Sequence, residues 1–282
     1  MIEKLKDYFR GHPAVVMAFV FGSRGKREVS PRADWDIAVY FKSSASFVEW
    51  QLECDYPKEK EIYADLVDLL KTDSVDLIVL NRVAASLACS AMRGEPLVIK
   101  DRRTYLEFML RITQEAEDYR HTVQEYAEVY WRSSSLSEED RDILNKRLIF
   151  LDSELQDFDK FRKLTLLEYE KERSRQREVE RWIENIMNAA IDICKTVLAS
   201  SKKPIPDTYR KIIREIGTLS GFPDELGKGL AEWVELRNIL AHEYLDIRWR
   251  RIEDFIKRSQ PYFNRLIEIV KNEVLRIPGK EK

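Results

Sequence analysis

The feature that most constrains this chain is Ala14–Phe21, AVVMAFVF, a continuous apolar run closed by Gly22-Ser23. A run without polar alternation has no face to give to water. As a strand it must therefore be covered on both sides, which calls for helices above and below a sheet. Asp34–Phe41 (DWDIAVYF) and Val75–Leu80 (VDLIVL) read as two further strands. Between them Glu59–Leu70 spaces Ile62, Leu66 and Leu69 as a helix does. A helix over Arg82–Met92 and a short strand over Pro96–Ile99 complete a small mixed α/β domain.

From Thr104 onward the strand signal disappears. Leu106, Met109, Leu110 and Thr113 begin a helical stripe that continues through Tyr119 and Tyr126, and Ser133-Ser134-Ser135 breaks it. Ser137, with Asp140 three residues on, predicts a capping box for the next helix. Another stripe runs Val179, Trp182, Ile183, Ile186, Ala190, Ile193 and Val197. Pro204 and Pro206 mark a loop before Tyr209–Ile216, and Gly217, Gly221 and Pro223 precede a helix with Trp233 and Val234. The expected fold is thus α+β: a small mixed-sheet domain over residues 1–104, then an all-α bundle over 105–282. Only nine Gly and nine Pro among 282 residues suits such long regular elements.

A formal net charge of −2 argues against bulk capture of nucleic acid, though not against a local basic patch. Glu168–Arg181 alternates in sign and reads as a solvated helix face, whereas Arg248, Arg250 and Arg251 around Trp249 are candidates for contacting phosphate. Cys54, Cys89 and Cys194 form no CxxC pair, as expected of reduced packing thiols in a cytosolic protein. No apolar run is long enough to span a bilayer and no cleavable leader is visible, so a soluble, cytoplasmic protein without membrane partners is expected.

Two constellations carry chemistry. In the first, the Gly22-Ser23 turn lets backbone approach a phosphate closely and places free N–H groups nearby. Asp34 and Asp36, two apart on a strand, project to one face and can share a small oxygen-seeking cation, for which Mg²⁺ is the natural choice. Phosphate cradle and paired carboxylates are what transfer of a nucleotidyl group from a triphosphate requires.

The stretch Phe21-Gly22-Ser23 … Asp34-Trp35-Asp36, with its ten-residue spacer, resembles the signature of the DNA polymerase β-like nucleotidyltransferases, especially their minimal prokaryotic members. That resemblance implies a third carboxylate from a later strand. Asp76 occupies the matching context, and Asn81-Arg82 and Gly94-Glu95-Pro96-Leu97-Val98 are similar to the family's closing segment. By resemblance Asp34 and Asp36 bind metal, Asp76 binds metal or helps deprotonate the acceptor, and Gly22 and Ser23 hold the triphosphate. Arg27 and Ala33 depart from the pattern, standing where a second glycine and a serine are common.

The second constellation is Arg237-Asn238-Ile239-Leu240-Ala241-His242-Glu243-Tyr244. A histidine can take a proton from a ribose hydroxyl near neutral pH, and an arginine can stabilise a phosphorane-like transition state. On an unbroken α-helix these two positions diverge by well over a right angle. Pairing them requires the helix to end or distort between them, or a second subunit to supply its own copy. Arg-Asn-x-x-x-His-x-Tyr resembles the HEPN family of helical domains, and the likeness extends over Val179–Val197, Pro206–Arg210 and Tyr244–Asp246. It implies a ribonuclease site of Arg237 and His242, acting on RNA and formed at a homodimer interface.

Relatives of the two halves occur as an antitoxin–toxin pair in which the transferase adds AMP from ATP to a tyrosine two residues beyond the HEPN histidine. Tyr244 holds that position. The resemblance therefore implies a Mg²⁺- and ATP-dependent transferase whose acceptor is the HEPN domain of its own chain. Three alternatives stay open: a transferase with an aminoglycoside-like small-molecule acceptor, a non-catalytic nucleotide-binding or dimerisation module favoured by Arg27 and Ala33, and an unrestrained ribonuclease.

Overall fold

The protein is described by a computed structural model covering residues 1–23, 34–42, 48, 50, 55–132, 136–242 and 249–275, the side chains of 238, 239, 241, 242 and 273 excepted. Its backbone divides into two compact units, Met1–Arg120 and His121–Lys282.

In the first unit, four strands, β1 (Val15–Phe21), β2 (Trp35–Phe41), β3 (Val75–Val79) and β4 (Glu95–Ile99), form one sheet in the order β3-β2-β1-β4. β1 pairs antiparallel with both β2 and β4, while β2 and β3 run parallel. The apolar run is buried on both faces, as its composition requires. Val15, Ala18 and Val20 pack with Leu5 and Phe9 of α1 (Ile2–Gly11) and with Ile62 and Leu66 of α2 (Glu59–Leu70). Met17, Phe19 and Phe21 pack on the other face, with Ala85 and Ala88 of α3 (Ala85–Met92) and with Phe108 and Ile112 of α4 (Arg102–Trp131). Val15 and Met17 would share a face in a regular strand; a register shift between them sends them to opposite layers. At the far end of β2, buried Asn81 accepts from the Phe41 N–H at 2.8 Å and donates to its carbonyl at 3.1 Å. The α1 helix is an element not expected from the sequence.

The second unit is helical among its described residues: the end of α4, α5 (Glu138–Leu155), short α6 (Phe158–Phe161) and α7 (Leu166–Lys171), α8 (Arg173–Ser200), α9 (Tyr209–Glu215), α10 (Asp224–Ala231), α11 (Val234–His242), α12 (Trp249–Arg258) and α13 (Gln260–Ile269). α8 runs through the unit and buries the expected stripe, with Trp182 wedged between Phe158 and Phe255. The capping box expected at Ser137 and Asp140 is present in full, and Asp140, 3% exposed, also takes a hydrogen bond from Arg132 at 2.5 Å. Glu168–Arg181 straddles α7 and α8, and its charges engage one another and their neighbours through Arg175–Glu178, Lys160–Glu178 and Arg181–Glu184 pairs.

The expected boundary at 104/105 lies at the start of α4, whereas the two compact units part within that helix because Phe108 and Ile112 belong to the first core. Cys89 and Cys194 are free thiols, and burial pushes Cys194 up to about 12, as suits a packing residue. Cys54 and Ser133-Ser134-Ser135 lie outside the described residues. No helix among the described residues is long and apolar enough to cross a membrane.

Candidate active sites

The β2–β3 register sets Asp36 directly beside Asp76, and the β1–β2 register sets Phe21 opposite Asp36. All three positions lie on the sheet face covered by α3 and α4, since Ala38, Tyr40, Ile78 and Phe19 of the same alternation pack there. Asp34, just before β2, is exposed, as is Asp76, whereas Asp36 is half-buried. Burial, and then the negative charges of Asp76 and Asp34, push the Asp36 carboxyl above the usual carboxylate range.

Gly22 closes β1 with φ of +65°, in the left-handed region that glycine enters without steric cost. A Cβ there would fall 2.0 Å from Asp36 Oδ2. The glycine thus serves two purposes: it turns the chain and it lets the turn lie against the carboxylate. Ser23 follows, exposed. The spacer from Arg24 to Ala33, which holds Arg27, is outside the described residues.

Among the described residues no group of three or more His, Cys, Asp or Glu is drawn together tightly enough to form a ready cation cage. Asp34, Asp36 and Asp76 share one end of the sheet and feel one another's charge without meeting at a point. The donor set nevertheless fits a hard divalent ion. It is all oxygen, and its central member is burdened by burial and like charge, both of which a cation relieves.

Beside this cluster lies an open cleft of about 300 Å³ behind Phe21, lined by Gly22, Ser86, Cys89, Ser90, Arg93 and Gly94. Ser86, Cys89, Ser90 and Arg93 follow one another at helical steps along α3 and its C-cap, so one face of one helix furnishes them. Spacing alone does not mark them as a site. The available signal was the polar break in an otherwise alanine-rich segment, ASLACSAMR.

In the second unit α11 is continuous from Val234 to His242, so positions 237 and 242 sit roughly 140° apart around its axis. The helix does not end between them. Arg237 is held firmly: its Nε–H donates to Asn188 Oδ1 of α8 at 3.0 Å, and its guanidinium lies 4.9 Å from the centre of the Tyr209 ring. The Tyr209 hydroxyl is in turn 3.2 Å from Thr122 Oγ1. Asn188 and Tyr209 help to orient Arg237, and spacing alone does not pair them with it. The His242 side chain, Tyr244 and Arg248 lie outside the described residues. Of the basic cluster expected to meet phosphate, Arg251 is instead tied to Glu235 of α11 at 2.6 Å, and Trp249 packs 5.1 Å from the Tyr169 ring.

Residues 3–103 match the family "Polymerase beta, Nucleotidyltransferase", and residues 151–270 match "Ribonuclease HepT-like". Over 105 residues the chain is 33% identical to a tRNA nuclease HepT of Aphanizomenon flos-aquae (strain 2012/KM1/D3), spanning 37% of this chain and 71% of that protein. Among solved structures, a tri-AMPylated Shewanella oneidensis HEPN toxin in complex with MNT antitoxin aligns at a TM-score of 0.43 and 18% identity, over 47% of this chain and 98% of that one. The fold and the family matches define a polymerase β-type nucleotidyltransferase domain and a HEPN domain in one polypeptide. Through its helical half, the chain belongs to the HepT-like ribonuclease family.

Proposed function

We propose that the N-terminal domain transfers AMP from ATP to Tyr244 of the HEPN domain, and that the modification restrains a ribonuclease built on Arg237 and His242. The observation that carries the first part is the register of β2 on β3. It sets Asp36 beside Asp76 at the Gly22 turn, where like charges call for a cation and an open cleft of about 300 Å³ adjoins. Asp34, Asp36 and Asp76 would hold Mg²⁺, which supplies charge neutralisation for the triphosphate when bound.

The chain's own residues then divide the work. Gly22 and Ser23 seat the phosphates. Asp76, being exposed, takes the proton of the tyrosine hydroxyl as its oxygen attacks the α-phosphorus. The bond to the α,β-bridging oxygen breaks and pyrophosphate leaves with the electron pair. In the HEPN site His242 takes the proton of a ribose 2′-hydroxyl attacking the neighbouring phosphorus, and Arg237, oriented by Asn188 and Tyr209, neutralises the crowded phosphate. The bond from phosphorus to the next nucleotide's 5′-oxygen breaks, that oxygen leaves with the electron pair and takes up a proton from solvent, and a 2′,3′-cyclic phosphate remains. A phosphodiester on Tyr244 adds bulk and negative charge two residues from His242 and so excludes RNA. The continuity of α11 favours a homodimer in which each subunit contributes to a shared cleft. Likeness to a tRNA nuclease makes tRNA the first substrate to try.

The match over residues 151–270 favours this acceptor over a small molecule, because a HEPN domain brings its own target. Incubation with labelled ATP and Mg²⁺ should label the wild-type chain, and mass analysis should find whole AMP units on Tyr244. Tyr244→Phe and the Asp34→Ala/Asp36→Ala pair should each abolish labelling. Equal label on Tyr244→Phe, or none on wild type, would end the self-modification reading.

A further inference from the structure

The carboxylate cluster explains where a cation would sit but leaves the far end of a triphosphate without a counter-charge. The cleft beside it has the opposite chemistry. Its side-chain lining offers hydrogen-bond donors from Ser86 and Ser90 and the Arg93 guanidinium, with no carboxylate, while the Cys89 thiol donates to the Ile112 carbonyl instead. Ser86, Ser90 and Arg93 are exposed, and none makes a side-chain hydrogen bond or ion pair among the described residues. Other cationic side chains of the first unit, Lys6, Arg10, Lys58, Arg82 and Arg103, are bound to nearby acids.

Two glycines give the cleft its floor. A Cβ at Gly94 would lie 2.1 Å from the Val20 carbonyl oxygen, so bare backbone is pressed against the end of β1 there. Gly22 borders the cleft and at the same time touches the Asp36 carboxylate. A ligand crossing Gly22 passes from an acidic, cation-seeking site into a donor-lined one. A linear polyphosphate, with one end beside the carboxylates that would hold a cation and the other held by hydrogen bonds and an arginine, matches that polarity. A volume of about 300 Å³ is at the small end of ligand sites, right for phosphates and tight for a whole nucleotide.

We propose that this cleft seats the β- and γ-phosphates of the nucleoside triphosphate, with Arg93 as their counter-charge and Ser86 and Ser90 as donors. The proposal rests on the nucleotidyltransferase reading above and adds the residues that hold the leaving pyrophosphate. Arg93 touches the leaving group, so its charge counts most as the α,β bond breaks and negative charge collects on the pyrophosphate.

Calorimetric titration of the full-length protein with ATP, AMP and inorganic tripolyphosphate, each with Mg²⁺, tests it. Arg93→Gln should weaken ATP and tripolyphosphate by about tenfold or more, the worth of one charge-assisted contact, and leave AMP within about twofold. Arg93→Lys should recover part of the loss, and Ser90→Ala should cost about threefold on ATP alone. A purely structural role for Arg93 would move all three ligands together. Equal weakening of ATP and AMP, or unchanged ATP affinity in Arg93→Gln, overturns the cleft assignment while the transferase reading stands. A wild-type protein that binds neither ATP nor tripolyphosphate overturns both.

Discussion

Gly22 is the residue on which the transferase site turns. Its positive φ and its contact with Asp36 are separate demands, and only a residue without a Cβ meets both. Gly22→Ala should cost about 1–2 kcal/mol for the left-handed backbone alone. The Asp36 carboxylate must also move, so AMP labelling should fall far more than thermal stability does. Labelling at the wild-type rate would show that the Asp36 position is not critical. Asn188 is the equivalent point in the HEPN domain. Its carbonyl oxygen is the acceptor that fixes the Arg237 Nε–H. Asn188→Ala should lower ribonuclease turnover on the order of tenfold, the worth of a hydrogen bond to a charged group, with the melting temperature nearly unchanged because residue 188 is exposed. Gly22 was legible in the sequence because Gly-Ser follows a buried strand and stands ten residues before Asp-x-Asp, a combination that neither fragment supplies alone. Asn188 was not, since its partner is 49 positions away and no periodicity links the two.

Among the elements, α5 shows how far local signals carry. Ser137 and Asp140 announce its N-terminus by spacing, and both halves of the capping box are formed. The additional bond from Arg132 to buried Asp140 is a tertiary fact. Asp140→Ala removes the reciprocal cap and leaves Arg132 without this acceptor, so a loss of about 2–3 kcal/mol is expected by urea denaturation, against about 1 for a cap alone. A loss under 1 would mean that Arg132 contributes nothing through this pair. The strands behaved similarly. β1, β2 and β3 are readable from apolar runs, whereas α1, although Ile2, Leu5 and Phe9 fall at helical steps, is only ten residues long and set among charged residues. α11 bears on the second site in the same way: it is helical from Val234 to His242, so positions 237 and 242 do not share a face of it.

At the scale of the whole molecule, the chain is two compact units whose division falls inside a single helix. The sheet's second layer needs Phe108 and Ile112, both buried to within 1% exposure. A fragment ending at residue 104 lacks both. Losing a buried Phe and Ile costs several kcal/mol, comparable to the whole stability of a domain of this size. That fragment should show no cooperative melt by circular dichroism, whereas one ending at residue 120 should melt cooperatively. Equal melting of the two would place the first domain's end at 104. What the sequence determined by itself was local or periodic: a strand buried on both faces, the α+β division, the capping box, the Asp-x-Asp pair and the Arg–His spacing. These signals reside within one element or one turn, where chain geometry alone sets the neighbours. What tertiary structure decided was every relation across elements. It set Asp76 beside Asp36 through parallel register, placed Gly22 against Asp36, gathered the α3 donors beside that turn, and oriented Arg237 by Asn188 and Tyr209. Such contacts form only when packing brings distant segments to van der Waals distance, and no spacing in a linear chain encodes which segments will meet.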